Sequence, residues 1–440
     1  MKKILLIQPS PYDKNHMPIK KYKLYFVGLA MPLLAAMMPD DWETEIILEI
    51  IEDIPFDTDA DLIGISTMGH GVIRSIDIAQ KFRQMGKTVI LGGYMASIMA
   101  EEALKHCDSL VVGDAELVWH ELLKDYEEGN LKKVYEKNLE SGFFSTPLPR
   151  FDLIINKRIG NFLPVQAGRG CPNTCSFCSV SCLYKGHYIK KPLEEVIRDI
   201  KQVKELGFNR FLLLDDNIFS DREYLDKLLM EIKKLNMHWM SQCDIRIGRE
   251  EELLKKLADS GCTTLSFGLE SISKESLKGM NKAWANPLEY PYLIGNIHSH
   301  GIDVSTEMVV GGEGDTLSTI RDTKKFIEDN KITVPRFYIL TPIPGTKFFK
   351  DMTEAGRIIK DDIYSFDGTE AVHMPKNMTP GELTDAYWEL YESLFTFRSI
   401  LKRNIIRKEF LKKPDKYLFY AIVNLFYRYQ IKQRITPNIF

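Results

Sequence analysis

Gly168-Arg169-Gly170-Cys171-Pro172-Asn173-Thr174-Cys175-Ser176-Phe177-Cys178 sets three cysteines in a C-x3-C-x2-C spacing, directly after an apolar run at 163–167 that reads as a β-strand. Zinc closes a tetrahedron with four ligands, usually from two paired knuckles, and the chain holds no second C-x2-C or H-x3-H pair, although Cys182 could add a fourth thiol. Three thiolates on one tight loop suit an iron–sulfur cluster with one iron left unligated, where chemistry can happen. Cys107, Cys243 and Cys262 are scattered and read as buried small hydrophobes. Seven cysteines in 440 residues, an odd number, make no disulfide framework and point to a metal site in a reducing compartment.

Downstream of the cysteine loop, helices at 193–206, 222–235, 250–260, 287–300 and 317–330 alternate with strands at 211–214, 238–243, 264–268, 303–310 and 336–340. With 163–167 this makes six strands, a partial (β/α)6, TIM-like barrel short of the eight strands that would close it, with active residues expected at strand carboxyl ends. Upstream, apolar runs at 3–8, 44–48, 62–67, 88–91 and 109–112 alternate with helical stretches such as 72–85 and 96–106. That pattern predicts an α/β fold with a doubly wound, Rossmann-like parallel sheet, whose ligand edge lies beyond the strand ends. Those ends are Ser66-Thr67, Gly92-Gly93-Tyr94 and Gly113-Asp114; glycines that merely make tight turns are the alternative reading. The expected organisation is a first domain over 1–140, a Pro-containing connector over 141–158, the barrel over 159–350 and a helical extension over 351–440.

At the cysteine loop the chain resembles the radical S-adenosylmethionine superfamily, whose signature C-x3-C-x-aromatic-C has Phe177 in its aromatic place. The resemblance implies a [4Fe–4S] cluster held by Cys171, Cys175 and Cys178, its free iron bound by the amino and carboxylate groups of S-adenosylmethionine. One electron then cleaves the sulfonium to methionine and a 5'-deoxyadenosyl radical, with the cofactor supplying the hard step and the protein supplying position. The resemblance extends cofactor contacts to Phe177 and to Asp215-Asp216-Asn217 after the second strand, where members often have a Gly-Gly-Glu segment that takes the methionine amino group. An acidic acceptor for an ammonium is physically sound; capping of the next helix by Asn217 or Ser220 is the competing role. Gln242 and Arg246 near the third strand, and Glu270 and Ser271 within Gly268–Ser271 after the fourth, fall where members contact ribose and carboxylate. Gly311 and Gly312 after the fifth strand complete the set; their Gly-rich segment lacks a P-loop lysine, which argues against a nucleoside triphosphate. Thr341-Pro342-Ile343-Pro344-Gly345-Thr346 resembles a segment common in the cobalamin-dependent branch.

The N-terminal half is similar to the cobalamin-binding domain that precedes such barrels, through 61–66, 91–94 and 111–116. The resemblance implies corrinoid contacts from Ser66, Thr67, Gly92, Gly93, Tyr94, Gly113 and Glu116. The Asp-x-His-x-x-Gly motif that supplies a lower axial histidine is absent; His70 lacks the spacing and reads as a loop histidine, which leaves axial ligation open. Methylthiotransferases add a second cluster through three N-terminal cysteines, whereas here that half has only Cys107, and none follows Cys262, so one cluster is the economical count.

The formal charge of -3 is a cancellation, because residues 401–440 carry ten basic and two acidic side chains. With Phe410, Tyr417, Phe419, Tyr420, Phe426, Tyr427 and Tyr429 interleaved, the tail reads as one or two amphipathic helices. Such helices either lie on an anionic membrane surface or pack on the barrel with a basic face in solvent. The short N-terminal apolar run is no signal-peptide core and the longest uncharged stretches are too short to span a membrane, so a cytoplasmic protein is expected, peripheral to the membrane if the tail binds it.

These readings converge on a cobalamin-dependent radical S-adenosylmethionine enzyme that methylates an unactivated carbon through methylcobalamin and a 5'-deoxyadenosyl radical. A ring cyclase or rearrangement enzyme without methyl transfer is the runner-up, and a non-catalytic corrinoid or iron–sulfur sensor is the alternative of another class. The expected partners are a small-molecule substrate, a lipid or isoprenoid if the tail meets a membrane, and an electron donor such as flavodoxin or ferredoxin. Nucleic acid is not expected.

Overall fold

Apolar runs bounded by Gly, Pro and Asp become buried parallel strands, and the amphipathic stretches between them become the helices that cover the sheets. The computed structural model describes residues 1–13, 15–137, 142–360, 366 and 368–437, leaving the side chain of His70 aside. The end of the expected first domain (138–140), the start of the connector (Ser141) and the end of the tail (438–440) lie outside the described residues. By compactness the described residues form two units, one of Met1–Arg169 with Cys182–Phe211, the other of Gly170–Ser181 with residues 212–437.

In the first unit the strands are β1 Lys2–Gln8, β2 Leu24–Phe26, β3 Trp42–Leu48, β4 Leu62–Ser66, β5 Thr88–Gly92, β6 Ser109–Gly113, β7 Val134–Lys137 and β8 Ile159–Gln166. Among the described residues β3-β1-β4-β5-β6-β7 form a six-stranded sheet whose neighbours all run parallel. Leu5, Ile7, Ile63, Ile65, Val89, Leu91 and Leu110 pack with Ile78 and Phe82 of the helix Val72–Gln84 to make its core. The helix expected over 96–106 is instead three pieces, Tyr94–Ile98, Ala100–Ala103 and the turn Leu104–His106. The Ser97 hydroxyl donates to Gly93 O at 2.9 Å and accepts from the Gly113 N–H at 2.9 Å, tying the first piece to the sheet edge, and Met99 leaves helical backbone after it. β2, unsignalled in sequence, pairs parallel with β8.

The strands β9 Gly168–Gly170 and β10 Tyr188–Lys190 flank the cysteine loop in sequence. They are followed by β11 Arg210–Leu214, β12 His238–Cys243, β13 Cys262–Glu270, β14 Asp303–Val310 and β15 Val334–Ile339. These last five hydrogen-bond in the order β15-β14-β13-β12-β11 and, with their crossover helices, supply five of the six strands of the curled parallel half-barrel expected from the sequence, the sixth falling at β8. Phe337 of β15 stacks edge-on against Tyr391 of the helix Pro380–Leu394, so the alternate residues Arg336 and Tyr338 face away from that helix.

The tail packs on the half-barrel, and its basic residues divide: Arg403, Arg407 and Lys416 turn inward, while Lys408, Lys412, Lys413 and Lys432 stay exposed. Arg403 is fully buried and donates to the carbonyls of Ile332, Thr333 and Leu394 and to Asn424 Oδ1, and burial lowers its pKa to about 9. Lys416 pairs with the buried Asp303, which also accepts from the Tyr417 hydroxyl at 3.1 Å and faces Arg407 at 3.6 Å. Carbonyls and a carboxylate at the amino ends of β14 and β15 thus absorb charge that the sequence alone assigns to water. Among the described residues no helix is long and apolar enough to cross a membrane.

Candidate active site

The loop from Gly170 to Cys178 is held mostly by backbone, which leaves its side chains free to act. The Ser176 N–H donates to Met280 O at 3.0 Å, the Phe348 N–H to Ser176 O at 2.8 Å, and Asn281 Nδ2 to Thr174 O at 2.7 Å. Phe177 packs against the cluster of Met280, Leu340, Phe348 and Met352, so the aromatic position of the signature anchors the loop in apolar surroundings. Cys175 is buried, and Cys171 and Cys178 are half-buried. Burial pushes all three thiols up, Cys175 to about 12, with the Lys282 ammonium pulling it back. Backbone N–H groups of Val180 and Ser181 act on the Cys178 sulfur, and the Asn173 N–H with Asn217 Nδ2, at 3.8 Å, on Cys171. Sulfurs desolvated yet met by donors fit thiolates that give up their protons to metal. Among the described residues no three His, Cys, Asp or Glu side chains are grouped to hold a single metal ion. Three sulfurs that each serve a different iron of a cluster need not be so grouped.

Charged side chains at the carboxyl ends of β11 to β13 gather around this loop. Asp216 Oδ2 accepts from the Gly170 N–H at 2.7 Å and pins the loop's first residue. Asp215 accepts from the Asn217 N–H at 2.8 Å, while Asn217 Oδ1 accepts from the N–H of Phe219 at 3.3 Å and of Asp244 at 3.0 Å. Asn217 therefore caps the short turn Ile218–Ser220 and also touches the Cys171 sulfur. The following helix Arg222–Leu235 is capped by Asp221, not by Asn217 or Ser220, because Asp221 Oδ1 reaches the Tyr224 N–H at 2.9 Å. Arg246 Nε lies 3.0 and 2.9 Å from the two oxygens of the buried Asp244, and its guanidinium stacks 4.2 Å from the Trp284 ring centre. Glu270, at φ +60, accepts from Lys282 at 2.8 Å, and Lys282 also donates to Gly268 O at 2.6 Å. Burial works against the Lys282 charge, yet Glu270 and Cys175 hold its pKa above the ordinary value.

The remaining expected contacts are organised otherwise. Gln242 is exposed on β12 opposite Ser266. The N–H groups of Gly311 and Gly312 both donate, at 3.0 Å, to the buried carboxylate of Asp315, which also accepts from Ser271 and Ser276. This Gly-rich turn closes around an internal anion. Lys282, Trp284, Asp244, Asn173 and Asp315 were not foreseen. Asp315 had a signal, since a Gly-Gly-x-Gly turn with clustered amides wants an anion, whereas Lys282 and Trp284 sit in a motif-free loop.

In the first unit, Ser66 ends β4 and Thr67 follows it, Gly92 ends β5, and Gly93 (φ +100) opens the helix that starts at Tyr94. Thr67 Oγ1 donates to Gly92 O at 2.9 Å and accepts from the Ala96 N–H at 2.8 Å. A Cβ on Gly93 would lie 3.0 Å from Thr67 O, so the loop stays low against the sheet edge only with glycine there. Gly113 and Glu116 follow at the next strand end. Arg169 reaches Asp114 at 2.7 Å and both oxygens of Glu116, with Phe144 stacked 4.6 Å from the guanidinium. Burial opposes the Glu116 charge, but Arg169 holds its pKa below the ordinary value. A low edge of small side chains and bent glycine backbone fits a broad, flat ligand such as a corrinoid. His70 lies on the turn Gly69–Gly71, and its side chain lies outside the described residues.

Residues 165–327 match the Radical SAM superfamily model. This segment is a radical S-adenosylmethionine domain. The radical domain and its flanks are 28% identical over 390 residues to bacteriochlorophyllide d C-12(1)-methyltransferase of Chlorobaculum tepidum, covering 86% of this chain and 82% of the relative. They are 28% identical over 409 residues to the C-8(2)-methyltransferase of the same organism, covering 89% of each. In fold the chain is similar to the cobalamin-dependent S-adenosylmethionine radical enzyme OxsB, solved with aqua-cobalamin and S-adenosylmethionine bound, at a TM-score of 0.68 and 14% identity over 97% of this chain and 72% of that one. That likeness covers the sheet ahead of the radical domain as well as the domain itself.

Proposed function

We propose that this chain is a cobalamin-dependent radical S-adenosylmethionine enzyme that methylates an unactivated carbon of a small molecule. The observation that carries the reading is the three-cysteine loop ringed by Asp216, Asn217, Arg246 and Lys282 in a chain that also folds a glycine-edged, doubly wound sheet. When bound, the cluster with S-adenosylmethionine supplies one-electron chemistry that activates a C–H bond, and cobalamin supplies a methyl carrier. Cys171, Cys175 and Cys178 hold the cluster. Asp215 and Asp216 offer acceptors for the methionine ammonium, and Arg246 and Lys282 the counter-charge for its carboxylate. Phe177 and its apolar neighbours exclude water from one side of the loop. Ser66, Thr67, Gly92, Gly93, Tyr94, Gly113 and Glu116 line the corrinoid edge. A one-electron donor such as a flavodoxin or ferredoxin completes the system.

The two methyltransferases compared above are named for a bacteriochlorophyllide, so a planar tetrapyrrole is the first substrate to assay, with lipids and isoprenoids next. Anaerobic turnover of the reconstituted full chain should yield one S-adenosylhomocysteine and one 5'-deoxyadenosine per methylated product. Deoxyadenosine without S-adenosylhomocysteine would overturn methylation in favour of ring formation or rearrangement.

A further inference from the structure

The helix Pro414–Lys432 has two apolar faces. One, through Tyr417, Tyr420, Tyr427 and Ile431, is buried on the half-barrel. The other carries Leu418, Phe419, Ile422, Leu425, Phe426 and Tyr429, and all six are exposed, Ile422 to 64% and Tyr429 to 61%. Their spacing of i, i+1, i+4, i+7, i+8 and i+11 puts them within one arc of about 120° at 100° per residue, a continuous stripe rather than scattered residues. A helix that serves only as the outer layer of a barrel shows polar side chains on this face. Just before the helix Leu411 is 86% exposed, and Ile406 is 67% exposed.

The charge around the stripe identifies what covers it. Arg403, Arg407 and Lys416 are spent on internal carbonyls and carboxylates. Lys408, Lys412, Lys413 and Lys432 are exposed and have no ion pair among the described residues, and the only acidic residue between 410 and 437 is Asp415. An apolar stripe collared at both ends by unpaired lysines matches a bilayer interface bearing anionic headgroups, where the ring and aliphatic side chains enter the acyl boundary and the lysines meet phosphates. A self-association face gains nothing from lysines that would confront their own copies.

We infer that the outer face of the helix Pro414–Lys432 is a docking surface for an anionic lipid bilayer, on which the enzyme lies peripherally. This inference does not depend on the reaction proposed above. The test is flotation of the full, reconstituted chain with vesicles of phosphatidylcholine and phosphatidylglycerol in equal parts, against phosphatidylcholine alone. The chain should float with the first and not the second, and half-molar salt should release it. The triple variant Leu418→Gln/Ile422→Gln/Tyr429→Gln should abolish binding while keeping the melting temperature and cluster absorbance of the parent. Lys412→Gln and Lys413→Gln should each weaken binding about fivefold. Equal flotation with both vesicle types, flotation with neither, or binding unchanged in the triple variant would overturn the inference. So would a concentration-dependent dimer in light scattering that the triple variant dissolves, since the stripe would then belong to a second copy. Salt release of the unmodified chain decides the matter even if a variant fails to fold.

Discussion

The carboxyl edge of the half-barrel and the carboxyl edge of the N-terminal sheet are built from the same alternation of strand and helix, yet they present opposite chemistries. Around the cysteine loop, titratable side chains converge: Asp216, Asp244, Arg246, Glu270 and Lys282, each engaged by one or more fixed partners. Along the N-terminal edge the Thr67 hydroxyl bonds to Gly92 O and the Ala96 N–H, the Ser97 hydroxyl bonds to Gly93 O and the Gly113 N–H, and charge is held in paired groups, Arg169 with Asp114 and Glu116, and Arg74 with Glu49. A site that must hold a small ionic ligand beside a redox centre needs preorganised charge, whereas a site for a broad, flat ligand needs a smooth floor. The same architecture serves both because function resides in the loops rather than in the layers.

If the two edges are independent in this way, damage to one should spare the ligand of the other. The largest effect is expected for Cys175→Ala, which removes one of the three thiolates proposed to hold the cluster. The reconstituted variant should lose the cluster's visible absorbance and all detectable 5'-deoxyadenosine formation while retaining cobalamin through gel filtration. Deoxyadenosine at wild-type rate would break the assignment of the cluster loop. Lys282→Met comes next. It strands the buried Glu270 carboxylate, a change that costs about 3–5 kcal/mol in comparable buried pairs. The expected result is a lower melting temperature together with weaker S-adenosylmethionine binding measured by calorimetry. Lys282→Arg should recover part of the stability, because it restores the charge but not the fit at Gly268 O.

Legibility in the sequence follows the same divide. The strand series and the cysteine loop were readable because each depends on local pattern: apolar runs of four to eight residues for the strands, and fixed spacing for the thiols. Asp216 and Asn217 follow a strand that ends at Leu214, where the family resemblance points. Lys282 and Trp284 were not readable, since they reach the loop from between two helices, and only tertiary structure brings a residue a hundred positions downstream against Cys175. The helix expected over 96–106 failed because the Ser97 hydroxyl serves the sheet edge instead of leaving a continuous helix, a competition that propensity does not register. The tail was half readable. Its amphipathic character was plain, but the burial of Arg403 among carbonyl oxygens depends on strand ends some seventy residues away.

The smallest expected effect probes the N-terminal edge. Gly93 has φ +100, and its missing Cβ would stand 3.0 Å from Thr67 O, so Gly93→Ala adds both backbone strain and a close contact with a carbonyl that cannot swing aside. Strain of this kind costs about 1–3 kcal/mol. The loop relieves it by lifting away from Thr67, which loosens the floor between β4 and β5 without touching any residue of the cluster loop. The variant should therefore hold its iron and sulfide content and its uncoupled deoxyadenosine formation, while its affinity for cobalamin falls about tenfold. A matched loss of cluster and corrinoid would show that the two edges fold as one cooperative site, and the contrast between them would then describe chemistry but not independence.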